Sequence, residues 1–332
     1  MKIAIVGGET LIGRELQEVL GGPGTGIEIV TYSASGEGNF GEEEGEAVYL
    51  EPFTAASIED FKSVLIAGSR AGALKAYDLA KAGGGHPLII DCTGELEEKP
   101  EARIVAPLLR DGASETSWLQ VIAHPAAGAL ALVCSRVAAY RPIQRAVAHI
   151  FEPASERGKR GLTELQQQTT SLLSFKGLNR EIFDAQLSFN LLPRYGEEAP
   201  LQLATVERRI ERDFATLIAS QPGQRVPMPS LRVIQAPVFH GYSLSIWVEF
   251  EGAVDAHNLR EALASAQIEV RGEKDEAPNV VGVAGQSGLI AGDIRIDSNN
   301  GRAVWLWVVE DNLRTIAGAA SEILDGVKEA QA

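Results

Sequence analysis

Few side chains in this sequence are of a type that could carry covalent or proton-transfer chemistry. It has two cysteines, Cys92 and Cys134, each inside an apolar run. A thiol attacks only as the thiolate, and one packed among apolar neighbours behaves as an inert small hydrophobe. Cys92 closes the strand-like run LIIDC. Ligands of open α/β sheets bind at the carboxyl ends of parallel strands, so Cys92 is the thiol with a route to a crevice. His124 precedes Pro125-Ala126-Ala127, and His240 precedes Gly241-Tyr242. Either imidazole can transfer a proton or act as a ligand, the default being a hydrogen-bonded structural histidine. On a strand His240 and Tyr242 would share a face. His124, Glu152, His240 and Asp91 carry ligand chemistry for a metal, but their spacing matches no compact zinc or calcium signature and no metal is expected.

The other pattern with a chemical meaning is GGETLIG, where Gly7 and Gly13 bracket a turn between a short apolar run and a helical pattern. A glycine turn at that place lets the backbone approach a pyrophosphate, which the helix N-terminus then stabilises. The regular G-x-G-x-x-G spacing is absent, Glu9 sets a carboxylate near the phosphate position, and Thr10 adds a Cβ at a crowded point. Where an acidic residue would hold an adenine ribose, the sequence offers Tyr32-Ser33-Ala34-Ser35. A dinucleotide site and a plain strand–turn–helix both remain open on these residues.

The elements that must position these groups follow from periodicity. Lys2 to Val6, Ile27 to Ser33, Phe61 to Ala67, Leu88 to Cys92, Ile104 to Ala106 and Leu119 to Ala123 read as short apolar strands. Leu11, Ile12, Leu16, Val19 and Leu20 mark one buried helical face, and a second helix spans Ala71 to Ala82, stopped by Gly83-Gly84-Gly85. The acidic stretch between Asn39 and Leu50 is a loop or hairpin. Strands alternating with helices indicate a mostly parallel sheet covered on both faces. Past residue 127 the pattern changes. A buried Ala/Leu/Val helix over Ala126 to Ala139 is followed by strands at Gln144 to Phe151, Leu187 to Leu192, Leu231 to Phe239 and Tyr242 to Phe250. Helices at Leu162 to Leu173 and Ala204 to Ser220 separate them, and Ala303 to Val309 and an amphipathic helix at Asn312 to Val327 close the chain. These fit an α+β domain on an antiparallel or mixed sheet with one covered face.

Composition bounds the function. The 332 residues carry 30 Lys+Arg against 45 Asp+Glu, a net charge of −15. Scattered basic residues on an acidic chain argue against nucleic acid, whose affinity rests on neutralised phosphates. No run reaches the roughly 20 apolar residues of a membrane span, and no leader pattern precedes Lys2, so a cytoplasmic location with no membrane partner is expected.

Across nearly its full length the chain resembles aspartate-semialdehyde dehydrogenase, and more closely the divergent Usg-like branch of that family. The resemblance rests on GGETLIGRELQEVL at 7–20, VLIAGSRAGALKAYDLAKAGG at 64–84, LIIDCTG at 88–94, VIAHPAAGALALV at 121–133 and GKRGLTEL at 158–165. It continues in FNLLPRYG at 189–196, APVFHGYSLSIWVEF at 236–250 and EDNLR at 310–314, all in family order. The implied fold is an N-terminal Rossmann-like NAD(P)-binding domain at 1–126, completed by the helix at 312–332. A central α+β dimerisation domain at 127–311, like that of glyceraldehyde-3-phosphate dehydrogenase, follows it. A homodimer is implied, and the three tryptophans of SLSIWVEF and AVWLWVV agree with it.

Members of that family reduce β-aspartyl phosphate with NADPH through a cysteine thioester, using a histidine base and arginines that hold carboxylate and phosphate. Residue by residue, those roles fall on different chemistry here. The nucleophile position is Ala127 and the base position Tyr242; Gln235 stands at the carboxylate-binding arginine, Glu152 at the glutamine following the nucleophile, and Glu97 at the phosphate arginine. The resemblance implies Gly7, Thr10, Leu11, Ile12, Gly13, Ser35 and Gly68 as the cofactor positions, with Thr10 at the family's middle glycine, Glu9 at its threonine and Ser35 where a basic residue would read a 2′-phosphate. NADP or NAD, or no cofactor at all, is the expectation. Cys92, His124 and His240 are the possible substitutes; Cys134 lies two helical turns, about 10 Å, beyond Ala127. Three functions follow: a family member without reductase activity that binds a small molecule or a partner, an active NADP-dependent oxidoreductase using relocated residues, or a structural homodimer whose cleft is vestigial.

Overall fold

The computed structural model describes residues 1–22, 24–43, 46–83, 86–109, 117–221 and 225–329. They divide into two compact units, Met1–Ala123 with Ile316–Ala332, and His124–Thr315.

In the first unit β1 (Lys2–Val6) runs into α1 (Leu11–Leu20), then β2 (Glu28–Tyr32). The acidic stretch is a hairpin of β3 (Asn39–Glu43) and β4 (Glu46–Leu50). A single turn, α2 (Ala55–Ile58), precedes β5 (Ser63–Ile66), α3 (Arg70–Ala82), β6 (Leu88–Asp91), β7 (Arg103–Val105) and β8 (Leu119–Ile122). The six-stranded sheet has the order β2-β1-β5-β6-β8-β7, and every pair is parallel. Each helix starts on a side-chain cap. Thr10 Oγ1 accepts from Gly13 N at 3.0 Å, and Ser69 Oγ accepts from Gly72 N at 3.4 Å. At the C-terminus of α3, Gly83 N donates to Leu79 O at 3.2 Å; Gly84 and Gly85 lie outside the described residues.

The second unit opens with α4 (Pro125–Tyr140), whose proline occupies the first helical turn, where a missing N–H costs nothing. Then come β9 (Ile143–Glu152), a 3₁₀ turn at Ala154–Arg157, α5 (Gly158–Leu173), α6 (Leu203–Ala219), β10 (Ser230–Gln235) and β11 (Tyr242–Phe250). The chain continues through α7 (Ala256–Leu263), β12 (Ile268–Val270), α8 (Val280–Val283), β13 (Leu289–Asp297) and β14 (Asn300–Glu310) into α9 (Asn312–Glu329). The sheet is mixed, in the order β10-β9-β11-β14-β13-β12, with parallel pairs at its two edges and antiparallel pairs between. Helices α4, α6 and α7 pack together against one face. Leu244, Ile246, Val248, Leu306 and Val308 are buried there, while Trp247, Trp307 and Phe151 on the other face stay half-buried and Trp305 is 39% exposed. Alternation along β11 and β14 thus gives one face covered by α4, α6 and α7, and an opposite face where Trp307 packs with Val283, Ile290 and Val309 while Trp305 is left exposed.

In the first unit α1 and α9 share a core with the sheet, built from Ile3, Ile5, Leu16, Leu20, Leu65, Ile316, Ile323 and Leu324. The opposite sheet face packs Val6, Phe53, Ile66, Ala73, Ala76 and Tyr77. Residues 330–332, included in the helix expected from the sequence, lie outside the described residues.

Two expected strands are corrected. Leu187 to Leu192 forms no strand. Gln168 Oε1 accepts from Leu187 N at 2.7 Å and from Ser188 N at 3.1 Å, Asn190 N closes a turn on Leu187 O, and Phe189 takes φ +60°. Backbone donors that a ladder would use are spent on a side chain and a turn, and only Leu192 makes a bridge, to Gln235. β10 ends at Gln235 and not at Phe239, because Pro237 has no N–H to continue a ladder. The carbonyls of Val238 and Phe239 accept instead from Ala154 and Ser155.

Candidate functional site

Sheet register in the second unit brings distant sequence positions together. β9 and β10 end side by side, with Glu152 opposite Gln235. β11 runs antiparallel to β9 and starts at Tyr242, beside the end of β9. The first turn of α4 adds His124 and Ala127, whose N–H bonds the His124 carbonyl at 2.9 Å. His124 N donates to Asp213 Oδ2 on α6 at 2.8 Å, and Tyr242 Oη lies 3.3 Å from His124 Nε2. So Glu152, Gln235, Tyr242 and His124 meet in one cluster, with Ala127 tied to His124 through the backbone of the first turn of α4, and all five are buried.

Two residues the sequence reading left unassigned complete the cluster. Arg157, at the end of the 3₁₀ turn, forms a close ion pair with Oε1 of Glu152. Tyr195 donates to Gln235 Oε1 at 2.5 Å, and the Arg157 guanidinium donates to Tyr195 Oη at 3.3 Å. Gln235 Nε2 donates to the carbonyls of Glu152 at 2.8 Å and Ala236 at 3.1 Å, so both ends of its amide are used within the protein. Asn312 closes the border: its Oδ1 accepts from Gly241 N at 3.0 Å, and its Nδ2 donates to Glu156 at 2.7 Å and to Ser155 at 3.1 Å.

Electrostatics follow from burial. Desolvation raises the Glu152 carboxyl to about 7, against the lowering pull of Arg157. Burial, then the positive charges of Arg209 and Arg157, hold His124 well below its ordinary value, so it is neutral at pH 7. Burial, then the carboxylates of Glu156 and Glu152, push Tyr242 well above the usual phenol range, which keeps it protonated. The cluster therefore offers the Glu152–Arg157 ion pair and neutral hydrogen-bonding groups, with no thiolate.

The other named residues stand elsewhere. His240 is exposed on the turn before β11, so it does not share the face of buried Tyr242. Cys92 belongs to the first unit's core, and burial raises its thiol well above the ordinary value. Burial pushes Cys134 to about 12. Asp91 is buried and accepts from Thr93 N at 2.8 Å, Gly94 N at 3.1 Å and Leu96 N at 2.8 Å, which makes it the organiser of the loop after β6.

The glycine turn of the first unit gathers Gly7, Thr10, Gly13 and Gly68. Gly7 has φ +102°, and a Cβ there would come within 2.5 Å of Gly68 N; a Cβ on Gly13 would run into the Gly7 carbonyl. Thr10 Oγ1 lies 2.9 Å from both Gly7 O and Ala67 O. Leu11 and Ile12, half-buried, form the first turn of α1, and Ser35 Oγ pairs with Ser33 Oγ at 3.0 Å. Glu9 Oε1 accepts from Ala34 N at 2.8 Å, and Glu9 Oε2 is shut off from solvent without a hydrogen-bond partner among the described residues. An orphaned carboxylate oxygen does not suit a phosphate-bearing cofactor.

Comparison with known proteins shows the family and the fold. A family model described as the dimerisation domain of semialdehyde dehydrogenase matches residues 137–315. A protein of Azotobacter vinelandii named USG-1 protein homolog is 28% identical over 320 residues, covering 94% of this chain and 93% of its own length. An aspartate-semialdehyde dehydrogenase of Rickettsia typhi is 25% identical over 323 residues, covering 94% and 93%. A solved structure described as a probable aspartate-semialdehyde dehydrogenase from Pseudomonas aeruginosa superposes with a TM-score of 0.82 at 25% identity, over 100% of this chain and 99% of that one. Among the described residues no helix is long and apolar enough to cross a membrane.

Proposed function

The chain belongs to the semialdehyde dehydrogenase family, and we propose that it keeps the fold of an aspartate-semialdehyde dehydrogenase without the reductase chemistry. The observation that carries this reading is Ala127, a buried methyl group in the first turn of α4 at the position where the resemblance requires an attacking thiolate. Hydride transfer in that chemistry needs an acyl-enzyme, and a methyl group forms none. Neighbouring groups support the same reading. Tyr242, at the base position, is held protonated, and Gln235 lacks both the charge and the donor fork of the arginine it replaces.

An active oxidoreductase working through relocated residues has to find another nucleophile. Cys92 and Cys134 are buried thiols with raised pKa values, and neither lies in the cluster around Glu152. The test is an assay of the purified protein with aspartate semialdehyde, phosphate and NADP, following nicotinamide absorbance. No turnover above the blank is expected; a kcat in the ordinary range of roughly 1–10³ s⁻¹ would overturn the reading.

A second reading, a structural or partner-binding homodimer in the cytoplasm, is favoured by Gln235 and Tyr195, which spend their hydrogen bonds on each other and on Glu152. The partly exposed tryptophans of β11 and β14 support the dimer.

A further inference from the structure

The turn after β1 is a tight strand-to-helix glycine turn, the place where dinucleotide-binding folds receive a pyrophosphate. Gly7, Gly13 and Gly68 stand where side chains would collide with neighbouring backbone, and Thr10 turns its hydroxyl inward to cap α1. A helix N-terminus carries a partial positive charge that favours an anion. Beside this turn the chain places a carboxylate of its own. Glu9 immediately precedes the N-cap, and its Oε1 takes the N–H of Ala34 just beyond β2, the donor at that edge of the sheet. Its Oε2 is shut off from solvent and has no hydrogen-bond partner among the described residues. Lys75 reaches this loop region, but its Nζ is held by Gly36 O and by Glu37 Oε1, each at 2.7 Å.

We propose that Glu9 is the residue that closes this glycine turn to a nicotinamide dinucleotide: its carboxylate, held on Ala34 N beside the turn, sets a negative charge against the ligand's phosphates. A phosphate entering the turn would have to displace Glu9 from Ala34 and then lie beside a negative charge screened by little solvent. The inference does not rest on Ala127, because a chain without a nucleophile can still bind a dinucleotide.

The experiment is a titration of the full-length protein with NADPH and NADH, by calorimetry and ligand fluorescence, for the wild type, Glu9→Gln and Glu9→Thr. Glutamine keeps an acceptor for Ala34 N and removes only the charge, whereas threonine also removes the reach. The wild type should fail to saturate up to about 1 mM, and Glu9→Gln should bind at least roughly tenfold more tightly. Micromolar saturation of the wild type overturns the proposal. So does equal behaviour of wild type and Glu9→Gln, including equal failure to bind, since the charge would then not be what excludes the ligand. Should Glu9→Thr misfold by far-UV circular dichroism, the near-isosteric Glu9→Gln still decides.

Discussion

The hydroxyl of Tyr242 stands 3.3 Å from Nε2 of His124, with the two rings edge-on at a centroid distance of 5.6 Å and both side chains buried. One comes from the start of β11 and the other from the residue before α4, so this contact ties the sheet to the helix where the family's chemistry would be placed. With His124 held neutral and Tyr242 protonated, the pair is a neutral hydrogen bond and no proton relay. Tyr242→Phe should cost about 1–2 kcal/mol in urea unfolding at pH 7, the penalty of leaving a buried ring nitrogen without its partner. An unchanged midpoint would mean that the contact contributes nothing.

Arg157 and Glu152 make a buried ion pair of the kind whose loss is costly because one charge is stranded. Arg157→Ala should destabilise by about 3–5 kcal/mol. Adding Glu152→Gln should recover a substantial part of that loss, since the stranded carboxylate goes with it. If the double variant is as unstable as Arg157→Ala alone, then lost packing against Tyr195 is what Arg157 supplies, and the charge pair is secondary.

Much of this arrangement was legible in the sequence. Clean alternation in SLSIWVEF defines the two faces of β11, and the strand register sets Glu152 opposite Gln235, two of the positions the resemblance singles out. Arg157 and Tyr195 were not legible as site residues. They are 38 residues apart and join only through the fold, and nothing local distinguishes a buried arginine from the scattered surface ones. Leu187 to Leu192 misled for a related reason: apolar residues in an extended-looking run say nothing about a distant Gln168 that takes their N–H groups. Glu9 stood out as a substitution, but its bond to Ala34 is a tertiary contact.

Glu310, at the end of β14, gives a pH dependence. Burial raises its carboxyl to about 8, with Glu156 and Asp311 adding to the shift and a hydrogen bond from Thr315 opposing it. A raised folded pKa means that the folded state holds the proton more tightly than the unfolded chain does. Its stabilising contribution is therefore complete below the unfolded value of about 4.5 and is lost as pH rises through about 8. Glu310→Gln, which mimics the protonated acid, should raise the melting temperature at pH 9 and change it little at pH 4. Equal shifts at both values would assign the effect to packing and not to the proton.

The partly exposed tryptophans of the second unit's sheet supply the prediction on assembly. Trp247 and Trp305 are directly paired across β11 and β14, and Trp307 follows on the same face. An aromatic surface of this kind is stable in water when another surface covers it, and a second copy presents the same strands about a two-fold axis. At about 10 μM, light scattering should give the mass of a dimer. Trp305→Glu should give a monomer that keeps its far-UV circular dichroism, because Trp305 is 39% exposed and outside the helix-covered core. A wild-type monomer would remove the dimer altogether. A Trp305→Glu dimer would move the interface to another part of the chain, and the aromatic face would then need a different explanation.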